Sequence, residues 1–147
     1  LTYIDKDQKE KEPIVIHRSS VGAIERTMAF LIERYAGALP VWLAPVQVTV
    51  IPVADRHLDY AHQIEAELRD EGVRVKVDAR SERMNLKIRE AQLEKVPYML
   101  VIGDKEVATA TVSVRLRTGE QLPSQATGEF KSRIKRVIAE KAIELRL

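Results

Sequence analysis

The spacing of hydrophobic positions changes period several times along the chain, and each change predicts an element. Leu1–Ile4 and Pro13–Ile16 are short apolar runs around the charged stretch Asp5–Glu12, which predicts two strands or a hairpin with a long loop. From Val21 to Tyr35 the period becomes helical. Val21, Ile24, Met28, Leu31 and Tyr35 share one face, while Ala23, Phe30 and Ile32 make other faces apolar too. A helix apolar on more than one side expects partners on more than one side. Ala36–Pro45 then breaks all periodicity with Gly37, Pro40 and Pro45, which predicts a domain boundary. Leu39, Val41, Trp42 and Leu43 within it predict a packed connector.

Val46–Val53 is a β-rich run that Pro52 ends. Asp55 or Asp59 is expected to N-cap the next helix, with Leu58, Ala61, Ile64 and Leu68 at helical spacing. Gly72 sits where a C′ glycine belongs. Val73, Val75 and Val77 alternate with Arg74, Lys76 and Asp78 as in a half-buried strand. Met84, Ile88 and Ala91 mark a helix over residues 84–95 that Pro97 stops, and Tyr98–Ile102 reads as a central strand. Gly103-Asp104 is turn chemistry. In Thr111–Leu116, Val112, Val114 and Leu116 point one way, and Ser113, Arg115 and Arg117 the other. A last helix is expected from Glu129 to about Leu145, with Phe130, Ile134, Val137, Ile138 and Leu145 inward and Thr127 as a cap. From residue 46 the order β-α-β-α-β-β-β-α predicts a parallel start to a sheet with an antiparallel addition.

Composition adds exclusions. With 147 residues, 45% hydrophobic and 31% charged, the chain fits one ordinary globular domain, or a small one with an appendage. The absence of cysteine excludes disulfides, Cys-ligated zinc within the chain and a cysteine nucleophile. Aromatic residues at 5% argue against a surface built on many stacked bases. No run approaches the roughly 18 apolar residues of a membrane span, and the charged start predicts no signal peptide. The chain begins with Leu1 rather than Met, which reads as a processed start or a piece of something longer.

The net charge of +2 conceals an uneven distribution. Residues 55–72 carry a net −4, whereas residues 74–95 and 127–147 each carry +3. Solvated helix faces account for such segments. The sharper reading is a surface that meets a polyanion, because clustered Lys and Arg neutralise phosphates and release counterions.

Candidate chemistry is sparse. His17-Arg18 is expected at a strand end, with Gly22 and Glu25-Arg26 at the following helix start, where a guanidinium favours anions. His57 and His62 are five apart in the acidic segment and are expected to be solvent-exposed. No phosphate-binding loop, nucleophile elbow or zinc-protease motif is present. Asp55, Asp59 and Asp78 are accounted for by caps and loops. Residues 46–147 therefore read as a binding module.

Taken in order, these segments carry a resemblance. Ile16–Val48 resembles the end of a class II aminoacyl-tRNA synthetase core, with Gly22-x-x-Glu25-Arg26 similar to motif 3. Tyr35–Gln47 and Val77–Val107, including KIRE and VPYMLVIGDKE, resemble the threonyl-tRNA synthetases, as does the VSVR of Val112–Arg115. The resemblance implies an α/β fold: a three-layer anticodon-binding domain with a mixed, mostly parallel five-stranded sheet flanked by helices. A strand–helix stub of the catalytic domain would precede it. It divides the chain into a stub at 1–36, a connector at 37–45 and an anticodon-binding domain at 46–147. It implies the C-terminal part of an enzyme that ligates threonine to tRNA(Thr) with ATP through threonyl-adenylate, with this chain alone inactive.

The resemblance also assigns residues. Arg26 corresponds to the motif 3 arginine on the ATP phosphates, and His17 to one of three zinc ligands, the other two lying upstream of Leu1. ATP and zinc thus belong to the complete enzyme, and neither is expected on this chain. Glu106 and Arg115 correspond to the anticodon readers, with Arg83, Lys87 and Arg89 as helpers. Ser81 and Arg83 stand where the family often has Asn and Lys, and Ala23 where it often has Ser. The implied partner is the tRNA(Thr) anticodon stem-loop, with no membrane, a cytoplasmic location and a homodimeric parent. A stand-alone, non-catalytic RNA-binding relative is the competing reading, and a flavodoxin-like binding domain a weaker one.

Overall fold

The computed structural model describes the whole chain, Leu1–Leu147. Its contacts divide it into two compact units, Leu1–Phe30 and Leu31–Leu147.

In the first unit, β1 (Tyr3–Ile4) pairs antiparallel with β2 (Glu10–Lys11), Tyr3 opposite Lys11 and Ile4 opposite Glu10. The second strand is therefore the charged Glu10–Lys11 pair and not the apolar Pro13–Ile16 run. The turn explains the difference. Gln8 N–H donates to Asp5 O at 2.8 Å and Asp5 N–H to Lys9 O at 3.0 Å, so the chain has already returned at Glu10. Lys11 ion-pairs across the turn with Asp5 and Asp7. Pro13 has no N–H to extend the ladder. Helix α1 (Ile24–Tyr35), whose residues from Leu31 on count with the second unit, begins three residues later than its apolar pattern, and no residue of it is buried.

The second unit holds a five-stranded sheet in the order β4-β3-β5-β6-β7: Val75–Val77, Val48–Pro52, Tyr98–Ile102, Thr111–Leu116 and Gln125–Ala126. The first three strands are parallel and the last two antiparallel additions. A single 3₁₀ turn, Asp55–His57, leads into α2 (Leu58–Asp70). Helix α3 (Met84–Leu93) connects β4 to β5, a short α4 (Asp104–Thr109) connects β5 to β6, and α5 (Thr127–Ala139) follows β7.

Two cores follow from the pleat. Val48, Val50, Tyr98, Leu100, Val112 and Val114 pack with Ile64 and Leu68 of α2 and Phe130 and Ile134 of α5. On the opposite face, Ile51 and Met99 pack with Ile88 and Ala91 of α3. Tyr98 meets Phe130 edge-on, with centroids 6.2 Å apart, and its hydroxyl donates to Arg146 O at 2.5 Å. The segment before the sheet is tied down. Val41 and Ala44 are buried. Gln47 Nε2 donates to Val41 O at 2.9 Å, Arg74 Nη2 to Trp42 O at 2.8 Å, and Arg117 Nη1 to Leu39 O at 2.7 Å.

Several local expectations are corrected. Neither Asp55 nor Asp59 caps: Ala54 precedes the 3₁₀ turn and His57 precedes α2, because the chain enters the helix through that extra turn. Gly103-Asp104 starts α4 instead of a simple turn. Helix α5 begins at Thr127, after Ala126 as N-cap, and stops at Ala139 rather than near Leu145. Lys141 turns to a positive φ of 49°, and Ala142 N–H donates back to Val137 O at 3.2 Å, which closes the helix end. Helix α3 ends the same way, with Lys95 at φ 60° and Val96 N–H on Ala91 O at 3.0 Å. Gly72, φ 78°, does this after α2.

Thr49 lies on the α3 side of β3 with a buried hydroxyl that has no partner. Removing an unpaired buried polar atom without losing volume relieves a desolvation cost. Thr49→Val is therefore expected to raise unfolding stability by about 1 kcal/mol, read from urea denaturation at constant m-value.

Candidate nucleic-acid interface

The alternation in β6 separates two kinds of residue. Val112, Val114 and Leu116 are buried toward α2 and α5, so Ser113, Arg115 and Arg117 lie on the α3 face. Arg115 stands opposite Met99 of β5 and is half-exposed. Its Nη2 donates to Gln121 Oε1 at 3.0 Å, and Gln121 Nε2 donates to Ser113 Oγ at 3.4 Å. Helix α3 borders this face, because Gln92 Nε2 reaches Arg117 O at 3.5 Å. Arg89 lies three residues before Gln92, on the same side of the helix, and is exposed. Sequence reasoning placed Ser113 on the polar face but missed Gln121. The signal was Thr118-Gly119, a tight return that sets Gln121 opposite Arg115.

Glu106 is in the first turn of α4, not in a turn between strands. Its Oε2 accepts the Gly103 N–H at 3.0 Å, which satisfies one free donor at the helix start. Oε1 has no protein donor and remains available as an acceptor. The α4 entry is pinned from the other side. Arg56 donates through Nε and Nη2 to the two oxygens of Asp104 at 2.8 and 2.7 Å. His57, expected at the surface, is 2% exposed. Its Nδ1 accepts the Ala54 N–H at 3.2 Å, so the neutral ring donates from Nε2 to Asp104 Oδ1 at 2.9 Å. Those bonds, Arg56 first and His57 second, hold the Asp104 carboxyl far below the usual carboxylate range.

Arg83 and Lys87 sit elsewhere, at an open cleft of about 350 Å³ beyond the carboxyl ends of β3 and β4. Arg83 is the exposed N-cap residue of α3. Lys87 is buried, and its Nζ donates to Asp78 O at 3.1 Å and Pro52 O at 3.4 Å. Arg80, also at this cleft, is bidentate on Asp78 and 2.6 Å from Glu90. Four of the five residues expected at one site thus fall into two groups around α3: Arg83 and Lys87 at its start, and Arg89 with Arg115 along its side. Glu106 follows β5 at the carboxyl-end side.

Charge compensation differs between the two faces of the sheet. Lys131 pairs with Glu67 at 2.9 Å and Lys135 with Glu71 at 2.5 Å, so α5 neutralises the acidic end of α2. The basic segment 127–147 is in this way partly compensated, with Arg136 and Lys141 left without a carboxylate partner. Around α3, Arg80 and Lys76 have carboxylate partners, whereas Arg83, Arg89 and Arg115 have none.

His17 and Arg26 belong to the first unit. Both are exposed, and His17 lies in irregular chain rather than at a strand end, since no strand forms at Pro13–Ile16. No group of three or more His, Cys, Asp or Glu residues is arranged to hold a metal ion. A lone exposed histidine does not by itself make a zinc site.

A family model described as "Anticodon binding domain" matches residues 47–137. The chain belongs to this family. It is 52% identical over 132 residues to a threonine–tRNA ligase of Clostridium perfringens, covering 90% of this chain and 20% of that protein. A threonine–tRNA ligase of Dehalococcoides mccartyi is 50% identical over 145 residues, 99% of this chain and 25% of that protein. The chain therefore spans only a fifth to a quarter of these relatives. Among solved structures, the RNA binding domain of threonyl-tRNA synthetase from Cryptosporidium parvum superposes with a TM-score of 0.75 at 34% identity, over 93% of this chain and 35% of that one. A prolyl-tRNA synthetase of the same organism gives 0.62 at 27% identity, over 69% of this chain and 22% of that one. Homology and fold together match this chain to the anticodon-binding part of threonyl-tRNA synthetase. No helix is long and apolar enough to cross a membrane.

The Arg80 guanidinium, mainly through its hydrogen bonds, holds the Asp78 carboxyl below its ordinary value against the opposing effect of burial. A depressed folded pKa stabilises above the unfolded value, near 4, and that stabilisation is lost as pH falls through the folded value. Asp78→Asn is expected to lower the melting temperature at neutral pH, with the gap to wild type narrowing as pH falls below the ordinary carboxylate range.

Proposed function

We propose that this chain reads the anticodon of tRNA(Thr) as part of a threonine–tRNA ligase. The α3 face of β6 supplies the reading surface. The observation that carries this reading is Arg115: half-exposed on the uncovered side of β6, with a guanidinium that no carboxylate neutralises. A guanidinium in that position can donate two parallel hydrogen bonds to the O6 and N7 of guanine, and threonine anticodons have guanine at the centre. Glu106 keeps Oε1 free to accept from a base N–H. Arg89 and Arg83 add positive charge beside the phosphate backbone. Lys87 acts from below, fixing the loop after β4 through Asp78 O and leaving one proton toward the cleft.

The rest of the activity lies in the complete protein. There we assign Arg26 to the ATP phosphates and His17 to a zinc ion shared with ligands outside this chain. The complete enzyme would join threonine to its tRNA with ATP, by way of threonyl-adenylate, as a cytoplasmic homodimer. The division into residues 1–36, 37–45 and 46–147 belongs to the same proposal.

Two outcomes test it. Arg115→Ala is expected to weaken binding of a threonine anticodon stem-loop by about 1–3 kcal/mol and to relax discrimination at the central base. An equal loss on every anticodon sequence would instead make Arg115 a phosphate contact. Threonine-dependent ATP–pyrophosphate exchange by this chain alone is expected to be absent, and measurable exchange would contradict the assignment of adenylation to residues outside it.

A further inference from the structure

We propose that Gln121 is a positioning residue that sets base specificity by orienting both Arg115 and Ser113; this rests on the anticodon-reading function proposed above. The return after β6 creates the arrangement. Gly119, at φ 94°, donates to Leu116 O at 2.9 Å, Leu116 N–H donates to Glu120 O at 2.8 Å, and Leu122 N–H donates to Val114 O at 2.9 Å. These bonds place Gln121 directly across from Arg115 in an isolated antiparallel bridge.

The chemistry of the contacts fixes the polarity of the set. A guanidinium only donates, so the Gln121 amide must present Oε1 to Arg115 Nη2, as found at 3.0 Å. The NH₂ group is thereby directed to Ser113 Oγ, 3.4 Å away. Ser113 then accepts from the protein side, and its own hydroxyl proton is free to donate outward. Arg115 retains Nε, Nη1 and the second Nη2 proton, none with a partner in the protein, so one parallel pair of donors stays free. Arg115 offers only donors, and with one Ser113 lone pair filled by Gln121 the patch is weighted outward toward donors. It suits a base edge made of acceptors, such as the O6 and N7 of guanine, and opposes adenine, whose N6 amino group is itself a donor. Without the Gln121 amide, the Arg115 side chain would be free to rotate and the Ser113 hydroxyl free to reverse.

Gln121 is exposed, so its replacement should leave the fold intact, checked by an unchanged melting temperature. The test measures fluorescence anisotropy of this chain with threonine anticodon stem-loops whose central base is guanine, adenine or 7-deazaguanine. Gln121→Leu is expected to lose about five- to tenfold affinity for the guanine stem-loop, with the loss shrinking to under about twofold for the other two. Gln121→Glu keeps an acceptor for Arg115. It loses the donor to Ser113, so its guanine-over-adenine ratio is expected to fall between those of wild type and Gln121→Leu while the added charge lowers every affinity. An equal loss on all three stem-loops by Gln121→Leu, or no loss, would overturn the positioning role. If Arg115→Ala leaves the guanine preference unchanged in the same assay, the failure lies with the anticodon-reading function itself.

Discussion

The parallel ladder between β3 and β5 positions everything else in the second unit. Val48–Pro52 runs in register with Tyr98–Ile102, and nearly every residue of both strands is buried. A strand pair buried on both faces demands cover on both faces, which α2 and α5 give on one side and α3 on the other. Helix α3 is narrower than the sheet it covers. The strand beside this pair, β6, is consequently sealed toward α2 and α5 and only bordered by α3. Its outward residues are held to one face by the pleat and left half-open by the shortage of cover. An open polar face arises there from the mismatch between a five-stranded sheet and a single helix.

Electrostatics sharpen the same asymmetry. Exposed ion pairs contribute little to stability, on the order of 0–1 kcal/mol each. Their larger consequence here is to remove net field from the α2–α5 face, where Lys131 and Lys135 meet Glu67 and Glu71. On the α3 side, Arg80 and Lys76 are likewise neutralised by carboxylates. Arg83, Arg89 and Arg115 are among the basic residues of that region that have no carboxylate partner. A nearly neutral chain can in this way present a locally positive surface to a polyanion. The clamp of Arg56 and His57 on Asp104 bears on the same surface from its end, since Asp104 opens the helix that carries Glu106.

What could be read from the sequence followed what is local and periodic. The alternation Val112-Ser113-Val114-Arg115 assigned Arg115 to the open face without any tertiary information, and Tyr98–Ile102 declared a central strand by its unbroken apolar run. Gly72 announced the end of α2. The end of α5 was hidden, because Lys141 adopts the left-handed conformation without being glycine, and only the backbone geometry reveals it. Burial of His57 was equally hidden: its partners are Ala54 nearby and Asp104, 47 residues away, and no spacing rule connects them. Lys87 and Arg89 look alike in sequence, two positions apart on one helix. Their difference, one buried under strand ends and one free, is set by which side of α3 meets the sheet. Pro13–Ile16 misled because apolarity suggested a strand where the turn had already chosen Glu10–Lys11.

The central claim is that RNA meets the α3 side of β6 and that the loop bases decide the contact. Amide and side-chain NMR shift mapping of this chain, titrated with a threonine anticodon stem-loop and with one of scrambled loop, tests it most directly. The account predicts shifts clustered at Ser113, Arg115, Gln121, Arg89 and Glu106 with the threonine loop, much smaller with the scrambled one. Shifts centred instead on Lys131, Lys135 and Arg136 of α5, or a pattern indifferent to loop sequence, would contradict it.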